Sequence, residues 1–313
     1  MKLHPLKWAN APDNYFPKWI IENVWQGDGV NFLFGTPKLA RKTSLRRYLI
    51  ACAFTGEPAF GVFPVKRKIE NPLLMILEDH PGSEKYAIRK VLQTMGYTGE
   101  PQLSFLTPPW FHIDNHGHLE TLIKLIEEEG HDFVTIDPLV NFHGKEENDN
   151  SAMGQVTSAL HLLRQFAGVA IIHHDVKPQD QGGFSTRTTG QRMRGGGVLG
   201  GASNVTIESK PAGKHRVRLM FEIKTPADDT PDPIDIAWNK ENGLWEMQAP
   251  YTEDAVLAAI VRDPGITRTE LYNKLNKNKQ KTLAFIKELL EEGLITQRGK
   301  DNRSGKLYCS TVS

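Results

Sequence analysis

The stretch Val30–Leu45, VNFLFGTPKLARKTSL, decides how this chain is read. Five apolar-rich residues (30–34) make a short buried strand, a loop carrying Lys38, Arg41 and Lys42 follows, and from Lys42 the pattern KTSLRRYLIACAFTG has helical spacing. Strand, loop and helix in this order aim consecutive backbone N–H groups and a helix N-terminus at one point, the geometry that holds a phosphate. Lys42 is placed to reach β- and γ-phosphates and the Thr43 hydroxyl to hold Mg²⁺. Gly35, Thr36, Pro37, Lys38 and Arg41 are the expected remainder of the cradle.

The spacing departs from G-x-x-x-x-G-K-[ST]: Thr36 and Arg41 stand where the two glycines belong, and the nearest glycine is Gly35. Glycine there lets backbone approach phosphate without a Cβ and takes up unusual dihedrals. The expectation is that Arg41 supplies neither property and adds only charge. The plainer reading makes Lys42-Thr43 the exposed start of an amphipathic helix.

Working outward, further short apolar runs, LLMIL (73–77), LSFL (103–106), DFVTI (132–136) and VAII (169–172), alternate with helical patterns starting at Ser83, His118 and Ser151. That alternation predicts an α/β fold with a central, mostly parallel sheet covered by helices, each helix ending at a glycine. Strands resume at VTIES, VRLMFEIKT and IDIAWN, extending the sheet toward Trp245, after a basic, glycine-rich loop or lid from Gln181 to Gly201. The segment 248–254, QAPYTED, reads as a linker between domains at 1–248 and 251–313. Beyond it, three short helices and a hairpin follow the order of a winged helix-turn-helix.

The chain has 313 residues, 38 Lys plus Arg against 37 Asp plus Glu, a formal charge of +1, 9% aromatics and a mean hydropathy of −0.42. This excludes a polycation and a disordered chain, and confines any nucleic-acid contact to a local basic surface. Two cysteines, Cys52 and Cys309, exclude a disulfide framework or four-cysteine zinc site. Neither a secretory leader nor an apolar run of about 18 residues is present, so the cytoplasm is the expected compartment.

Polar groups recur where the predicted strands end. LLMIL runs into Glu78-Asp79, on a strand expected to neighbour the phosphate loop, and Glu78 is the sensible base for activating water. DFVTI runs into Asp137, an aspartate placed to organise Mg²⁺, and VAII runs into His173-His174, where a side chain can sense the γ-phosphate. Taken singly, such an aspartate caps a helix and such histidines pack. Together, beside a phosphate loop, they read as a site. Glu146 and Glu147, near Asn148, read as solvated loop residues. His112, His116 and His118 lie on a loop without a nearby cysteine, a poor setting for a metal.

The segments LLMILEDHPG, IDPLVNFHGKEENDNSAMGQV, VAIIHHDVKP and RGGGVLGGASN resemble the RecA-like P-loop NTPase core of the RepA family of plasmid-type hexameric replicative helicases and related AAA-class ATPases, over residues 15–245. The resemblance implies ATP and Mg²⁺ bound between neighbouring subunits of a homo-oligomeric ring. It implies Lys42 and Thr43 on phosphate and metal, Glu78 as base, Asp137 as metal-organising aspartate and His174 as phosphate sensor. The family's trans-acting arginine position falls on Asn204, which leaves Arg194 or Lys224 to supply a cation from the neighbour.

In the C-terminal module, Leu283, Ile286, Leu289 and Leu290 are the expected core face of a helix starting near Lys279. Lys274, Lys277, Lys279 and Lys281, with Arg298, Lys300, Arg303 and Lys306 in the wing, are the expected DNA contacts. The combined expectation is ATP-dependent DNA handling in replication of a plasmid, phage or integrated element. The rivals are a non-hydrolysing DNA-binding or assembly factor and a winged-helix regulator.

Overall fold

The computed structural model describes residues 16–147, 149–175, 193, 196–224, 230–248, 253–275, 279–299 and 305–310. Arg194, Lys277, Lys300, Arg303 and Asn148 lie outside these, as does the side chain of Lys281. The chain divides into two compact units, Met1–Gln248 and Ala249–Ser313.

In the first unit a small hairpin of β1 (Trp19–Ile21) and β2 (Trp25–Gln26) precedes β3 (Val30–Gly35), the cationic loop after it and the helix α1 (Lys42–Thr55). Then come β4 (Pro72–Ile76), α2 (Pro81–Thr94), β5 (Ser104–Leu106), α3 (His116–Glu129), β6 (Phe133–Asp137), α4 (Asn150–Leu163) and β7 (Gly168–His174). After these the chain forms α5 (Gly196–Ala202), β8 (Val205–Gly213), β9 (Arg216–Ile223), β10 (Ile234–Trp238) and β11 (Trp245–Met247). Among the described residues these make one nine-stranded sheet, ordered β11-β10-β9-β8-β3-β7-β6-β4-β5. It is parallel from β5 to β8 and antiparallel beyond.

Alternation along the strands explains the two faces. Leu33, Leu74, Ile76, Ala170 and Ile172 point to the side where α1 and α2 bury Leu45, Leu49, Ile88 and Val91. Phe32, Phe34, Met75, Ile136 and Ile171 point to the other, where α3 and α4 bury Leu122, Ile126, Val156 and Leu160. With both faces covered, the strands read as unbroken apolar runs.

Register brings the polar strand ends together: Gly35 lies opposite His174, and Ile76 lies opposite Asp137. β4 does not neighbour β3, as its sequence position suggested. β7 and β6 stand between them, because β7 is buried on both faces and pairs with β3 over its whole length. α4 ends at Leu163 without a glycine cap. Gly168 instead permits a close crossing, since a Cβ there would meet the Gly27 carbonyl oxygen at 2.8 Å. The expected loop Gln181–Gly201 ends in a helical turn, α5, whose Leu199 is buried in the α3/α4 cluster.

The second unit contains α6 (Glu253–Arg262), β12 (Ile266–Thr267), α7 (Arg268–Leu275), α8 (Lys279–Glu291), β13 (Ile295–Arg298) and β14 (Lys306–Cys309), with strand order β12-β14-β13. Val256, Ile260, Leu271, Ile286, Leu289 and Leu307 form its core. On α8, Thr282 rather than Leu283 is the fully buried residue of the first turns.

Gly35 is the glycine on which the crossing of the cationic loop over β8 turns. Its φ is 154°, and a Cβ would fall well inside contact distance of the Ser209 carbonyl oxygen on β8 and 2.8 Å from Ala40 Cβ. Gly35→Ala is expected to cost about 1–3 kcal/mol and to lower the urea midpoint of the first unit; an unchanged midpoint would show that β8 yields freely.

Candidate functional site

Lys38, Arg41, Lys42, Thr43, Glu78, Asp137 and His174 line one cleft of about 230 Å³ at the carboxyl edge of the parallel strands. Ser44, Arg47 and Ile172 complete its wall. This is the edge at which open α/β sheets take ligands. Polar residues from β4, β6, β7 and the loop after β3 thus meet at one place.

Lys42 opens α1 and is only 6% exposed; its Nζ donates to the Gly35 carbonyl oxygen at 2.7 Å. Burial pushes its ammonium down to about 8, against the pull of the Asp137, Glu78 and Asp175 carboxylates. The group is therefore mostly charged at neutral pH but weakly solvated, the condition under which a phosphate is a strong partner. The N-cap of α1, Arg41, provides no side-chain acceptor, and no acidic residue lies in the first turn. First-turn N–H groups have no intrahelical partner, so this terminus is open to an anion.

Asp137 ends β6 and is buried, which pushes its carboxyl up, while Arg46 pulls it down. It also hydrogen-bonds the Thr43 side chain. A hydroxyl and a carboxylate held together beside an open helix N-terminus are an oxygen donor set that fits Mg²⁺. Glu78 is exposed at the mouth of the cleft. His174 is half-buried beside Gly35. Gly35 and Thr36 adjoin the wall, and Pro37 is exposed on the loop.

Arg41 corrects the sequence reading. Its backbone is left-handed (φ 50°, ψ 33°), so it does adopt the conformation expected of glycine, at a cost of about 1–2 kcal/mol. Its guanidinium lies over the Trp238 ring, 4.7 Å from the centroid.

Sequence reasoning missed the ionic clamp behind the cleft. Arg46 is 0% exposed; its Nη2 bonds Glu84 Oε2 at 2.6 Å and its Nε lies 3.4 Å from Asp137 Oδ2. Arg47 grips the other Glu84 oxygen and also Asp79 Oδ2 at 2.9 Å. Glu84 stands in the first turn of α2, so the clamp ties the Glu78-bearing loop to the helix that carries Lys42 and Thr43. Its only sequence signal was two arginines at positions where an amphipathic helix turns inward.

Other expected residues are placed elsewhere. Lys224 donates to the carbonyls of Gly200, at 3.0 Å, and Gly201, and does not line the cleft of its own subunit. Asn204 accepts from the Val30 N–H at 3.0 Å, at the opposite end of β3 from Gly35. Glu147 is not a solvated loop residue: its Oε1 lies 3.7 Å from Nε2 of the buried His173. His118 accepts from the His112 N–H and stacks on Phe111. In the second unit Lys279, Arg298 and Lys306 are exposed, with Lys279 near the Tyr272 ring and Arg298 over Tyr308, while Lys274 pairs with Asp263.

Burial pushes the Glu84 carboxyl up, but Arg46 and Arg47 outweigh it and hold the group below its usual range. Glu84→Gln leaves a buried guanidinium short of its partner and is expected to cost about 3–5 kcal/mol. Because the folded carboxyl is depressed, this contribution is complete above about pH 4.3 and is lost only at more acid pH. Chemical denaturation of both proteins at pH 7 measures it; a difference within experimental error would remove the clamp from the account.

Residues 6–180, more than half of the chain, match the family model described as AAA domain. Residues 252–296 match one described as winged helix-turn-helix DNA-binding. No curated protein sequence matches significantly. Among solved structures, a DnaB-like replicative helicase, described with its interactions with primase, is similar with a TM-score of 0.51 and 12% identity. That match covers 70% of this chain and 57% of the helicase chain, so the chain spans little more than half of that structure. A KaiC-like protein from the hyperthermophilic archaeon Pyrococcus horikoshii OT3 has a TM-score of 0.48 and 10% identity over 74% of this chain and 94% of its own. The helicase likeness is one of fold: a RecA-like core with a mostly parallel sheet, joined here to a small winged helix-turn-helix unit. By the match over residues 6–180, the chain belongs to the AAA domain family.

Proposed function

We propose that this chain is an ATP-hydrolysing, DNA-handling motor of the RepA-like replicative helicase type. In this reading it works as a ring-shaped homo-oligomer, a hexamer, in replication of a plasmid, phage or integrated element. The observation that carries the reading is the convergence of Lys42, Thr43, Glu78, Asp137 and His174 on one cleft at an open helix N-terminus.

In this reading Lys42 and the first-turn N–H groups of α1 bind and orient the triphosphate. Thr43 and Asp137 would hold Mg²⁺, which when bound neutralises charge on the β- and γ-phosphates. Glu78, exposed at the mouth, orients the attacking water and accepts its proton. His174, in register with Gly35, is placed to sense whether the phosphate is present and to pass that state along the chain that continues from Asp175. Arg194 or Lys224 of a neighbouring subunit is the proposed trans-acting cation. Lys279, Arg298 and Lys306, with Lys277, Lys281, Lys300 and Arg303, are the proposed contacts to DNA phosphates.

Phosphate release from Mg-ATP by the purified chain, with and without single-stranded DNA, tests this reading. Wild-type release should rise with DNA, and Glu78→Gln should reduce it about 10²–10⁴-fold while leaving nucleotide binding in place. Binding without release would instead support the non-hydrolysing assembly factor. Sequence-specific duplex binding that survives Lys42→Ala would support the regulator.

A further inference from the structure

An arginine at the last position before the phosphate-loop lysine is unfavourable on two counts. A left-handed backbone is strained for any residue bearing a Cβ, and a long cationic side chain at the lip of an anion cleft can fold into the cleft and occupy it. Arg41 has the left-handed backbone, and its atoms line the cleft. What differs from an unsupported arginine is the destination of its guanidinium, over the face of Trp238, 197 residues further on in a strand that neither touches nor adjoins β3 in the sheet.

That ring is a fixed platform. Trp238 lies opposite Trp245 in the β10/β11 register, with the two rings stacked 6.3 Å apart at 29°. Trp245 is almost completely buried. The His215 ring lies 5.8 Å from Trp238, and the Trp238 backbone N–H donates to the His215 carbonyl oxygen at 2.7 Å. The loop reaches this platform because its preceding residue is tied to β8: Ser209 Oγ donates to the Ala40 carbonyl oxygen at 2.8 Å. Strands β8 and β10 therefore brace the loop at two points, one hydrogen bond at Ala40 and one cation–π contact at Arg41.

We propose that Trp238 is a positioning residue for nucleotide binding: its ring face takes the Arg41 guanidinium, holding the loop in a glycine-like conformation and keeping the arginine's charge at the lip of the cleft. The inference rests on the nucleotide reading of that cleft. It goes beyond it by explaining how the cleft tolerates the loss of its glycine, and it makes Trp238 matter only while residue 41 is arginine.

A double-mutant cycle on Mg-ADP affinity, measured by calorimetry with the full chain, tests this. Trp238→Leu keeps apolar bulk but removes the ring and should weaken binding about five- to tenfold, the scale of a cation–π contact between half-buried partners. Trp238→Phe keeps a ring face and should recover most of that loss. In an Arg41→Gly background, where glycine adopts the left-handed backbone unaided, Trp238→Leu should change affinity less than twofold. Equal losses from Trp238→Leu in both backgrounds, or no rescue by phenylalanine, would overturn the inference and leave Trp238 as packing alone. No binding by the wild type would overturn the nucleotide reading itself, and this inference with it.

Discussion

A lysine ammonium taken out of water must find compensating charge or lose its proton, and that constraint organises the carboxyl edge of this sheet. Lys42 is held against the Gly35 carbonyl oxygen, and the carboxylates of Asp137, Glu78 and Asp175 surround it without neutralising its lowered affinity for the proton. The cleft in front of it offers backbone N–H groups at the start of α1 and cationic side chains from Lys38, Arg41 and Arg47. Such a place is suited to an anion.

Holding that arrangement requires rigid walls, and the structure supplies them on both sides of β3. On the side of β4 and β6, the fully buried Arg46 joins Glu84 and Asp137, so the strand end that carries Asp137 and the helix that follows Glu78 cannot drift independently of α1. On the side of β8, Gly35 allows the loop to cross the Ser209 carbonyl, and Ser209 and Trp238 hold Ala40 and Arg41. A buried ionic cluster is no bargain in stability compared with apolar packing. Its value here is geometric, since it fixes three elements by directional bonds at the back of the cleft.

Much of this was legible in the sequence. Apolar runs ending in Glu78, Asp137 and His174 announced strand ends, and period-2 and period-3.6 patterns gave the alternation of strands and helices. The order of the strands was not legible, because β4 pairs with β6 through backbone hydrogen bonds that no side-chain pattern encodes. Arg46 and Glu84 were missed because a pattern argument assigns charged residues to solvent, whereas these two satisfy each other inside. Arg41 was misread for a related reason: its left-handed backbone is supported by Trp238, a contact between residues nearly two hundred positions apart.

The most direct test of the account is the pH dependence of Mg-ATP affinity in the wild type and in Lys42→Ala. With the Lys42 ammonium pushed down to about 8, a phosphate ligand favours the charged form, so affinity should be steady near neutrality and decline as pH rises through about 8, by up to tenfold per unit. In Lys42→Ala affinity should be low throughout and lack that decline. Affinity that is flat across this range, or that survives the substitution, would contradict the claim that a buried Lys42 is the centre of the site.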